Sequence, residues 1–267
     1  MDDRPIGVFD SGLGGLTTVR ELCRLLPEED IVYFGDTGRV PYGSRSRETI
    51  VKYARQDVAF LRTFDLKTIV IACGTVSTTG RDGLAAENPS PVLGVVAPAA
   101  RAAARATRSG SIGLIGTQAS IRSGAYERLI RAENPAARVL AQPCPLFVPL
   151  VENGRFRPGD VVIETVAAEY LAPLKEAGVD TLVLGCTHYP LLEKVIGAYM
   201  GPEVRLINSG AEGARAAAAW ESRRFPVSSC SVTGRSAAAS TASPMACPVA
   251  VIRRSRSPPS RRNASVQ

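Results

Sequence analysis

The chain has 267 residues, of which 45% are hydrophobic, and its formal net charge is +7 at neutral pH. This length suits two domains, and no apolar run approaches the roughly 20 residues that a membrane-spanning helix requires. The six cysteines lie far apart without CxxC spacing and there is one histidine, which argues against a disulfide framework and predicts no metal site. The amino terminus lacks the charged and apolar regions of a signal peptide, so we expect a cytoplasmic protein.

The positive charge belongs to the carboxyl-terminal tail. Residues 222–267 contain eight arginines and no acidic residue, whereas the part of the chain before them is close to neutral. The tail is rich in Ser, Pro and Ala without amphipathic periodicity, a composition that predicts poor order. Nucleic-acid binding is therefore expected only through this tail, for which a DNA-binding arm and an unselected terminus both stay open.

Strand-like and helical segments alternate along the first 221 residues. Short apolar runs predict strands at Ile6–Phe9, Ile31–Phe34, Thr68–Ala72, Val92–Val96, Ile112–Ile115, Thr181–Gly185 and Val204–Ile207. The stretches between them predict helices, for example at Leu16–Leu26, Arg47–Phe64, Ser123–Ala132, Asp160–Ala177 and Leu191–Tyr199. Such alternation predicts an α/β fold with helices on both faces of parallel sheets.

Two pairs of segments repeat in the same order along the chain. Ile6–Ser11 is echoed by Ile112–Thr117, and Thr68–Thr75 is echoed by Thr181–His188. The repeat predicts two similar doubly wound parallel-sheet domains related by pseudo-symmetry, with the active site in the cleft between them. The predicted boundaries are residues 1–95 plus 209–221 for the first domain, 96–208 for the second and 222–267 for the tail.

Cys73 and Cys186 each follow a predicted buried strand and precede a predicted helix start. A lone cysteine in a strand is most often structural, but a helix amino terminus lowers the pKa of a thiol and makes it more reactive. His188 stands two residues after Cys186 and is a candidate to relay a proton. The two cysteines are therefore candidate catalytic thiols, whereas Cys23 and Cys144 are expected to be structural.

The glycine-rich segment Asp10–Leu16 follows the first strand and opens a helix. Gly12 and Gly14 match the beginning of a dinucleotide fingerprint, but Thr17 stands where the third glycine is needed, which argues against NAD binding. Backbone amides at a helix start, with Ser11 beside them, can still hold a carboxylate or another small anion.

Six stretches between residue 6 and about 210 form a series with a familiar order. They are Gly7–Gly15, Gly35–Thr37 with Pro41–Gly43, Val70–Cys73, Ile115–Thr117, Pro149–Glu152 and Leu184–Leu191. The series resembles the cofactor-independent glutamate racemases of the aspartate/glutamate racemase superfamily, and its last stretch is highly specific. The resemblance implies interconversion of L-glutamate and D-glutamate without a cofactor, supplying D-glutamate for peptidoglycan synthesis.

The resemblance also implies a role for each site residue. One of the two thiols, Cys73 or Cys186, removes the α-proton of glutamate while the other returns a proton to the opposite face. Asp10 near Cys73, and Glu152 and His188 near Cys186, are implied to adjust the thiols. The implied substrate contacts come from Asp10, Ser11, Tyr42, Gly43, Gly74, Thr75, Thr117, Thr187 and His188.

The chain departs from the family pattern at Gly74, where the family has a substrate-binding asparagine, and in its tail, where the family has ordered structure. Gly74 leaves open a superfamily racemase or decarboxylase acting on another small acid. A catalytically weakened homologue with a binding role is a further alternative, because some glutamate racemases are reported to inhibit DNA gyrase. Family members are often dimers, so a homodimer stays open, whereas no membrane partner is expected.

Overall fold

The computed structural model describes residues 2–224 and 249–252. Within these ranges the strands form two sheets whose central strands are buried along most or all of their length. The nine strands are β1 (Ile6–Asp10), β2 (Ile31–Gly35), β3 (Thr68–Ile71), β4 (Val92–Gly94), β5 (Ser111–Gly116), β6 (Arg138–Pro143), β7 (Thr181–Leu184), β8 (Arg205–Asn208) and β9 (Val249–Ile252).

The two sheets have the same strand topology. The first has the order β4-β3-β1-β2-β9, and the second has the order β6-β5-β7-β8. Counted from its other edge, the second sheet becomes β8-β7-β5-β6, so β1 to β4 correspond in turn to β5 to β8. All pairings are parallel except that of β9, which runs antiparallel to β2. The predicted pair of doubly wound parallel sheets is confirmed, with one antiparallel edge strand added.

Helices connect the strands and cover the sheets. Several begin at a polar cap: Ser46, Thr117 and Asp160 each accept a hydrogen bond from a backbone N–H in the first turn that follows. The eleven α-helices described are α1 (Leu16–Leu25), α2 (Arg47–Leu61), α3 (Gly74–Thr79), α4 (Arg81–Glu87), α5 (Val96–Ala106), α6 (Gln118–Arg122), α7 (Ala125–Glu133), α8 (Phe147–Glu152), α9 (Val161–Glu176), α10 (Glu193–Met200) and α11 (Ser209–Arg224).

Each sheet is packed on both faces, which explains why its central strands are apolar throughout. The first sheet packs against α1 and α11 on one face and against α2 on the other. The second packs against α5 and α7 on one face and against α9 and α10 on the other. We call these two halves the first lobe and the second lobe. Helix α11 contacts both α1 and α5, so it ties the lobes together.

The seven predicted strands are all present, but two further strands were missed. Strand β4 is shorter than predicted because α5 already begins at Val96. The sequence of β6 lacks a β-branched run, since this strand is a half-exposed sheet edge. Strand β9 falls in the basic tail, where no strand was predicted.

Of the tail, residues 222–224 end α11 and 249–252 form β9, and the predictions for its remainder fall outside the described residues. The boundaries at 95, 208 and 221 stay predictions. Among the described residues, none of the helices combines the length and apolar character needed to cross a bilayer.

Candidate active site

A cavity of about 240 Å³ lies between the lobes, at the carboxyl ends of six strands. This is where open α/β sheets bind ligands, because the loops that follow parallel strands meet there. The segments that line the cavity follow β1 (Ser11), β2 (Val40–Ser44), β3 (Cys73–Thr75), β5 (Thr117 and Gln118), β6 (Cys144, Pro145, Val148, Pro149 and Glu152) and β7 (Cys186–His188).

Cys73 enters the cavity from the first lobe. It follows β3 and caps the amino terminus of α3, which directs its side chain toward the gap between the lobes. Its thiol is buried, and the Sγ atom donates a hydrogen bond to Ser11 Oγ at 3.5 Å. The Ser11 side chain comes from the glycine-rich turn after β1, so two predicted site residues meet here.

Cys186 enters the same cavity from the second lobe, after β7, the counterpart of β3. Its Sγ atom lies 3.7 Å from Nδ1 of His188, and Nε2 of that ring lies 3.1 Å from Oε1 of Glu152. The histidine is buried, while the carboxylate is partly exposed. The three side chains form a continuous path from the thiol to the cavity wall, along which a proton can pass.

Asp10 lies beneath the cavity floor rather than on its surface. Its carboxylate is fully buried and accepts hydrogen bonds from the backbone N–H groups of Gly12 at 3.1 Å and Gly15 at 3.0 Å. Thr187 Oγ1, from the second lobe, donates to its other oxygen at 3.4 Å. Burial raises the pKa of this carboxyl, and the His188 ring and the backbone donors oppose the rise.

Hydrogen bonds join the two lobes along one side of the cavity. Thr75 Oγ1 and Thr117 Oγ1 lie 3.0 Å apart, one at the start of each facing helix. The backbone N–H of Ala119 donates to the carbonyl of Gly43 at 3.0 Å. Three of the predicted substrate-binding residues therefore also hold the lobes in register.

Tyr42 is placed in the wall of the cavity, but its hydroxyl points into the first lobe. That hydroxyl donates to Asp36 and lies 3.0 Å from Asp57, while Arg39 forms ion pairs with both carboxylates. Burial and the Asp36 charge raise the pKa of Asp57 to about 7. A contact of Tyr42 with a substrate would therefore use its backbone or ring.

Burial controls the pKa of both cavity thiols. It raises the pKa of Cys73 to about 12, with the Asp10 carboxylate adding to the rise, and it also raises the pKa of Cys186. The expectation that a helix amino terminus would lower these pKa values is wrong, because desolvation outweighs the local backbone donors. Because burial disfavours the thiolate, a neighbouring group must assist when a thiol acts as a base.

Gly74 is a position at which the two lobes approach closely. A Cβ atom built on Gly74 would collide with the carbonyl oxygen of Gly185, a backbone atom of the second lobe. The absence of a side chain at position 74 thus permits this spacing between the two cysteine-bearing strand ends.

Several cavity residues were not predicted as site residues. They comprise Val40, Pro41, Ser44, Gln118, Cys144, Pro145, Val148 and Pro149. Four of them follow β6, the strand that the sequence did not reveal, and Cys144 was expected to be structural. The repeat offered the missing signal, since the segment after β2 was already predicted to bind substrate and β6 is the counterpart of β2. Among the described residues no cluster of His, Cys, Asp and Glu could hold a metal ion.

Comparison with known proteins agrees with this geometry. A sequence profile described as Asp/Glu/hydantoin racemase matches residues 9–217. The glutamate racemase of Geobacter metallireducens is 50% identical over 215 residues, covering 80% of this chain and 79% of the relative. The glutamate racemase of Streptococcus gordonii is 51% identical over 216 residues, covering 80% of each.

Solved structures lead to the same result. A glutamate racemase isoform from Bacillus anthracis superposes with a TM-score of 0.80 at 39% identity, covering 84% of each chain. The glutamate racemase of Francisella tularensis, solved in complex with D-glutamate, gives 0.79 at 37% identity, covering 86% of each.

The chain belongs to the Asp/Glu/hydantoin racemase family and is an amino-acid racemase. Within that family its relatives are glutamate racemases, as the sequence resemblance predicted.

Proposed function

We propose that the chain interconverts L-glutamate and D-glutamate by proton transfer between the substrate α-carbon and the thiols of Cys73 and Cys186. The observation that carries the proposal is the matched placement of these cysteines. They stand after corresponding strands of two repeated lobes and line one cavity. Racemisation needs an acid and a base on opposite faces of one carbon, and this arrangement supplies one group from each lobe.

In each turnover one thiolate takes the α-proton, so that a carbon–hydrogen bond breaks and a sulfur–hydrogen bond forms. The opposite thiol gives its proton to the other face of the carbanion and becomes a thiolate. The reverse reaction exchanges these roles. Net charge is unchanged, and no electron is transferred.

The thiol that acts as base must first lose its own proton. For Cys186 the acceptor is His188, whose Nδ1 lies 3.7 Å from Sγ and whose far nitrogen is oriented by Glu152. For Cys73 the neighbouring groups are the Ser11 hydroxyl at 3.5 Å and the buried Asp10 carboxyl, whose charge acts on the thiol. The two thiols therefore have different helpers for the same task.

The carbanion beside the substrate carboxylate must be stabilised by the cavity itself. The Ser11 hydroxyl accepts a hydrogen bond from Cys73, so its own proton can be donated to the developing negative charge. A donor that the protein holds in place stabilises such a charge more strongly than a donor in bulk water does.

The test is incubation with L-glutamate, and separately with D-glutamate, in D₂O, following optical rotation and α-deuterium together. We expect optical rotation to decay and the inverted product to carry solvent deuterium. No exchange from either enantiomer in folded protein would contradict the proposal. Exchange with another small acid but not with glutamate would favour the superfamily alternative that Gly74 left open.

The finer expectations stay predictions. We infer that the reaction takes place in the cytoplasm and that its D-glutamate enters peptidoglycan synthesis. A homodimer is tested by analytical ultracentrifugation.

A gyrase interaction is tested by a supercoiling assay with the full chain and with a variant truncated after residue 224. Salt-sensitive inhibition that is lost on truncation would support a role for the basic tail.

A further inference from the structure

The active-site cavity offers little positive charge to an anionic substrate. Among the described residues that line it, none is a lysine or an arginine. Glutamate carries two carboxylates and only one ammonium group, so its own charges do not balance. A carboxylate that no cation neutralises must be held by neutral hydrogen-bond donors. The second carboxylate of glutamate therefore depends on N–H and O–H groups of the cavity.

The cavity has a buried end and an exposed end. Cys73 and Cys186 are 4% and 7% exposed, whereas Ser44 and Gln118, which line the same cavity, are exposed. The α-carbon of the substrate must lie between the two thiols at the buried end, and the α-carboxylate and ammonium are bonded directly to it. The distal carboxylate lies two methylene groups farther along the substrate, so it extends toward the exposed end.

Ser44 and Gln118 lie beside the same contact between the lobes. The backbone N–H of Ala119 donates to the Gly43 carbonyl at 3.0 Å. Gln118 and Ser44 are the chain neighbours of these two residues. The contact therefore brings one polar side chain from each lobe to the exposed end of the cavity.

The helix that Gln118 begins turns its side chain toward the cavity. Gln118 is the first residue of α6, and Thr117, which caps this helix, also lines the cavity. The Cα–Cβ bonds of an α-helix tilt toward the amino terminus of the helix. The Gln118 amide therefore leans toward the cavity rather than away from it.

Both side chains have hydrogen-bonding groups that the protein does not use. Within residues 2–224 and 249–252, neither the Gln118 amide nor the Ser44 hydroxyl has a partner. The neighbouring Thr117 hydroxyl differs, because it contacts Thr75 and accepts a hydrogen bond from the backbone N–H of Ser120. Gln118 is also the one amide side chain among the described residues that line the cavity, and an amide offers two N–H donors.

We propose that Gln118 and Ser44 donate hydrogen bonds to the distal carboxylate of glutamate and make the site prefer glutamate to the shorter aspartate. The inference rests on the proposed racemisation of glutamate, because that reaction places the α-carbon between the thiols. Aspartate has one methylene group fewer, so its second carboxylate stops short of both donors. A contact with a part of the substrate that does not react binds ground state and transition state alike, so its loss raises KM and leaves kcat unchanged.

The test is a series of substitutions that change the charge at position 118: Gln118→Leu, Gln118→Lys and Gln118→Glu. The control is the same series at Gln142, a residue of β6 outside the cavity lining whose amide donates to the neighbouring Pro143 carbonyl. Binding to the full chain is measured by isothermal titration calorimetry with DL-glutamate. This mixture stays racemic whether or not the chain turns it over, so the heat reports binding alone.

We expect Gln118→Leu to weaken binding roughly tenfold, because hydrogen bonds to a charged group are lost. Gln118→Glu should weaken it further, since two carboxylates then meet, and Gln118→Lys should bind DL-glutamate more tightly than Gln118→Leu does. Ser44→Ala should cause a smaller loss than Gln118→Leu, because a hydroxyl has one donor and the amide has two. The three Gln142 variants should bind as the wild-type chain does.

The aspartate arm tests specificity. Gln118→Leu should leave the affinity for DL-aspartate unchanged, so that the preference for glutamate falls by the factor lost for glutamate. In the racemisation assay the same variant should raise the KM for glutamate and keep kcat. A fall in kcat with unchanged KM would instead show a structural role for Gln118 and contradict the contact.

The proposal is overturned if the three charges at position 118 give equal affinities for DL-glutamate, or if the Gln142 series gives the same changes. Equal losses for glutamate and aspartate in Gln118→Leu would overturn the specificity, and no heat of binding to the wild-type chain would overturn the contact. Charge-dependent binding of DL-glutamate without racemisation would contradict the proposed function and leave the contact standing. Racemisation with an unchanged KM in Gln118→Leu would contradict the contact alone.

Discussion

The two lobes share a strand topology but surround their cysteines differently. Cys73 has a serine hydroxyl at 3.5 Å and a fully buried carboxyl acting on it, whereas Cys186 has an imidazole at 3.7 Å that a partly exposed carboxylate orients. The substrates of a racemase are mirror images, yet the protein around them is built of L-residues and cannot be a mirror image of itself. The comparison teaches that repetition supplies the position of the two thiols, and that each lobe then adjusts its own thiol separately.

The two lobes also use different interactions to hold the walls of the cavity. In the first lobe the Tyr42 wall is held by two buried carboxylates and Arg39. In the second lobe the segment after β6 is held by aromatic packing, with the Phe147 ring 5.3 Å from that of Tyr189, and by the Tyr189 hydroxyl donating to the Cys144 carbonyl at 3.1 Å. One wall therefore depends on ionisation and the other on apolar contact.

The largest effect is expected from removing either thiol. Cys73→Ser and Cys186→Ser should each lower racemisation by roughly 10²–10⁴-fold, because serine is a far weaker base in the same position. The remaining thiol can still exchange the α-proton of the one enantiomer that it faces. Deuterium incorporation without inversion should therefore appear with opposite enantiomers in the two variants.

The control for the thiol variants is Cys23→Ser, a partly buried position on α1 away from the cavity, which should keep activity. Full racemase activity in either Cys73→Ser or Cys186→Ser would remove that thiol from the reaction.

The second largest effect is expected from removing Asp10 or His188, the residues that assist the two thiols. Asp10→Asn and His188→Asn should each lower kcat by roughly 10²-fold, because His188 is the proton partner of Cys186 and the buried Asp10 charge acts on Cys73. The equilibrium constant of racemisation is one, so kcat/KM must fall equally for both enantiomers. The asymmetry should instead appear in the isotope effect measured with α-deuterated substrate.

Each helper variant should raise the isotope effect for the enantiomer that its own thiol deprotonates, and the two variants should act on opposite enantiomers. Equal rises for both enantiomers in either variant would contradict the assignment of separate helpers. Glu152→Gln should shift the isotope effect in the same direction as His188→Asn, because it acts through that ring.

The sequence predicts those parts of the fold and of the candidate site that follow strands with a clear apolar pattern. Strands β3 and β7 are buried on both faces, so their apolar runs were plain and led directly to Cys73 and Cys186. Strand β6 is a half-exposed sheet edge, and its sequence shows neither an apolar run nor a regular alternation of polar and apolar residues. The cavity residues that follow β6 were therefore not predicted.

Side-chain environment was harder to predict than position. The helix start beside Cys73 suggested a lowered thiol pKa, but the degree of burial is a property of the assembled lobes and reverses the direction. Similarly, the sequence did not reveal that the Tyr42 hydroxyl donates to Asp36 and lies 3.0 Å from Asp57 on helix α2. Contacts between remote segments leave no trace in local sequence spacing.

A smaller effect should follow from changing the distance between the lobes. Gly74→Ala places a methyl group against the Gly185 carbonyl and forces the two cysteine-bearing strand ends apart. Because proton transfer depends steeply on distance, kcat should fall roughly tenfold, while the secondary structure measured by circular dichroism stays unchanged.

The matched control is Gly38→Ala, where an added Cβ meets no atom within 4 Å. Unchanged kcat in Gly74→Ala would show that the lobes move apart freely and that the close approach at this residue has no catalytic consequence. Gly74→Asn combines the same collision with the side chain expected from the family resemblance. A gain in activity there would mean that the lost amide matters more than the spacing.

The smallest effect concerns the ionisable wall of the first lobe. Asp57 has an ordinary pKa of 3.8 in the unfolded chain and about 7 in the folded protein, so between these values the folded state binds more protons. The free energy of unfolding should therefore fall as pH rises from about 4 to about 7, by at most about 4 kcal/mol from this group. Asp57→Asn should flatten this part of the profile, measured by urea unfolding at a series of pH values. The exposed substitution Asp82→Asn should leave the slope as it is, and an equal slope in Asp57→Asn would show that this carboxyl ionises normally despite its burial.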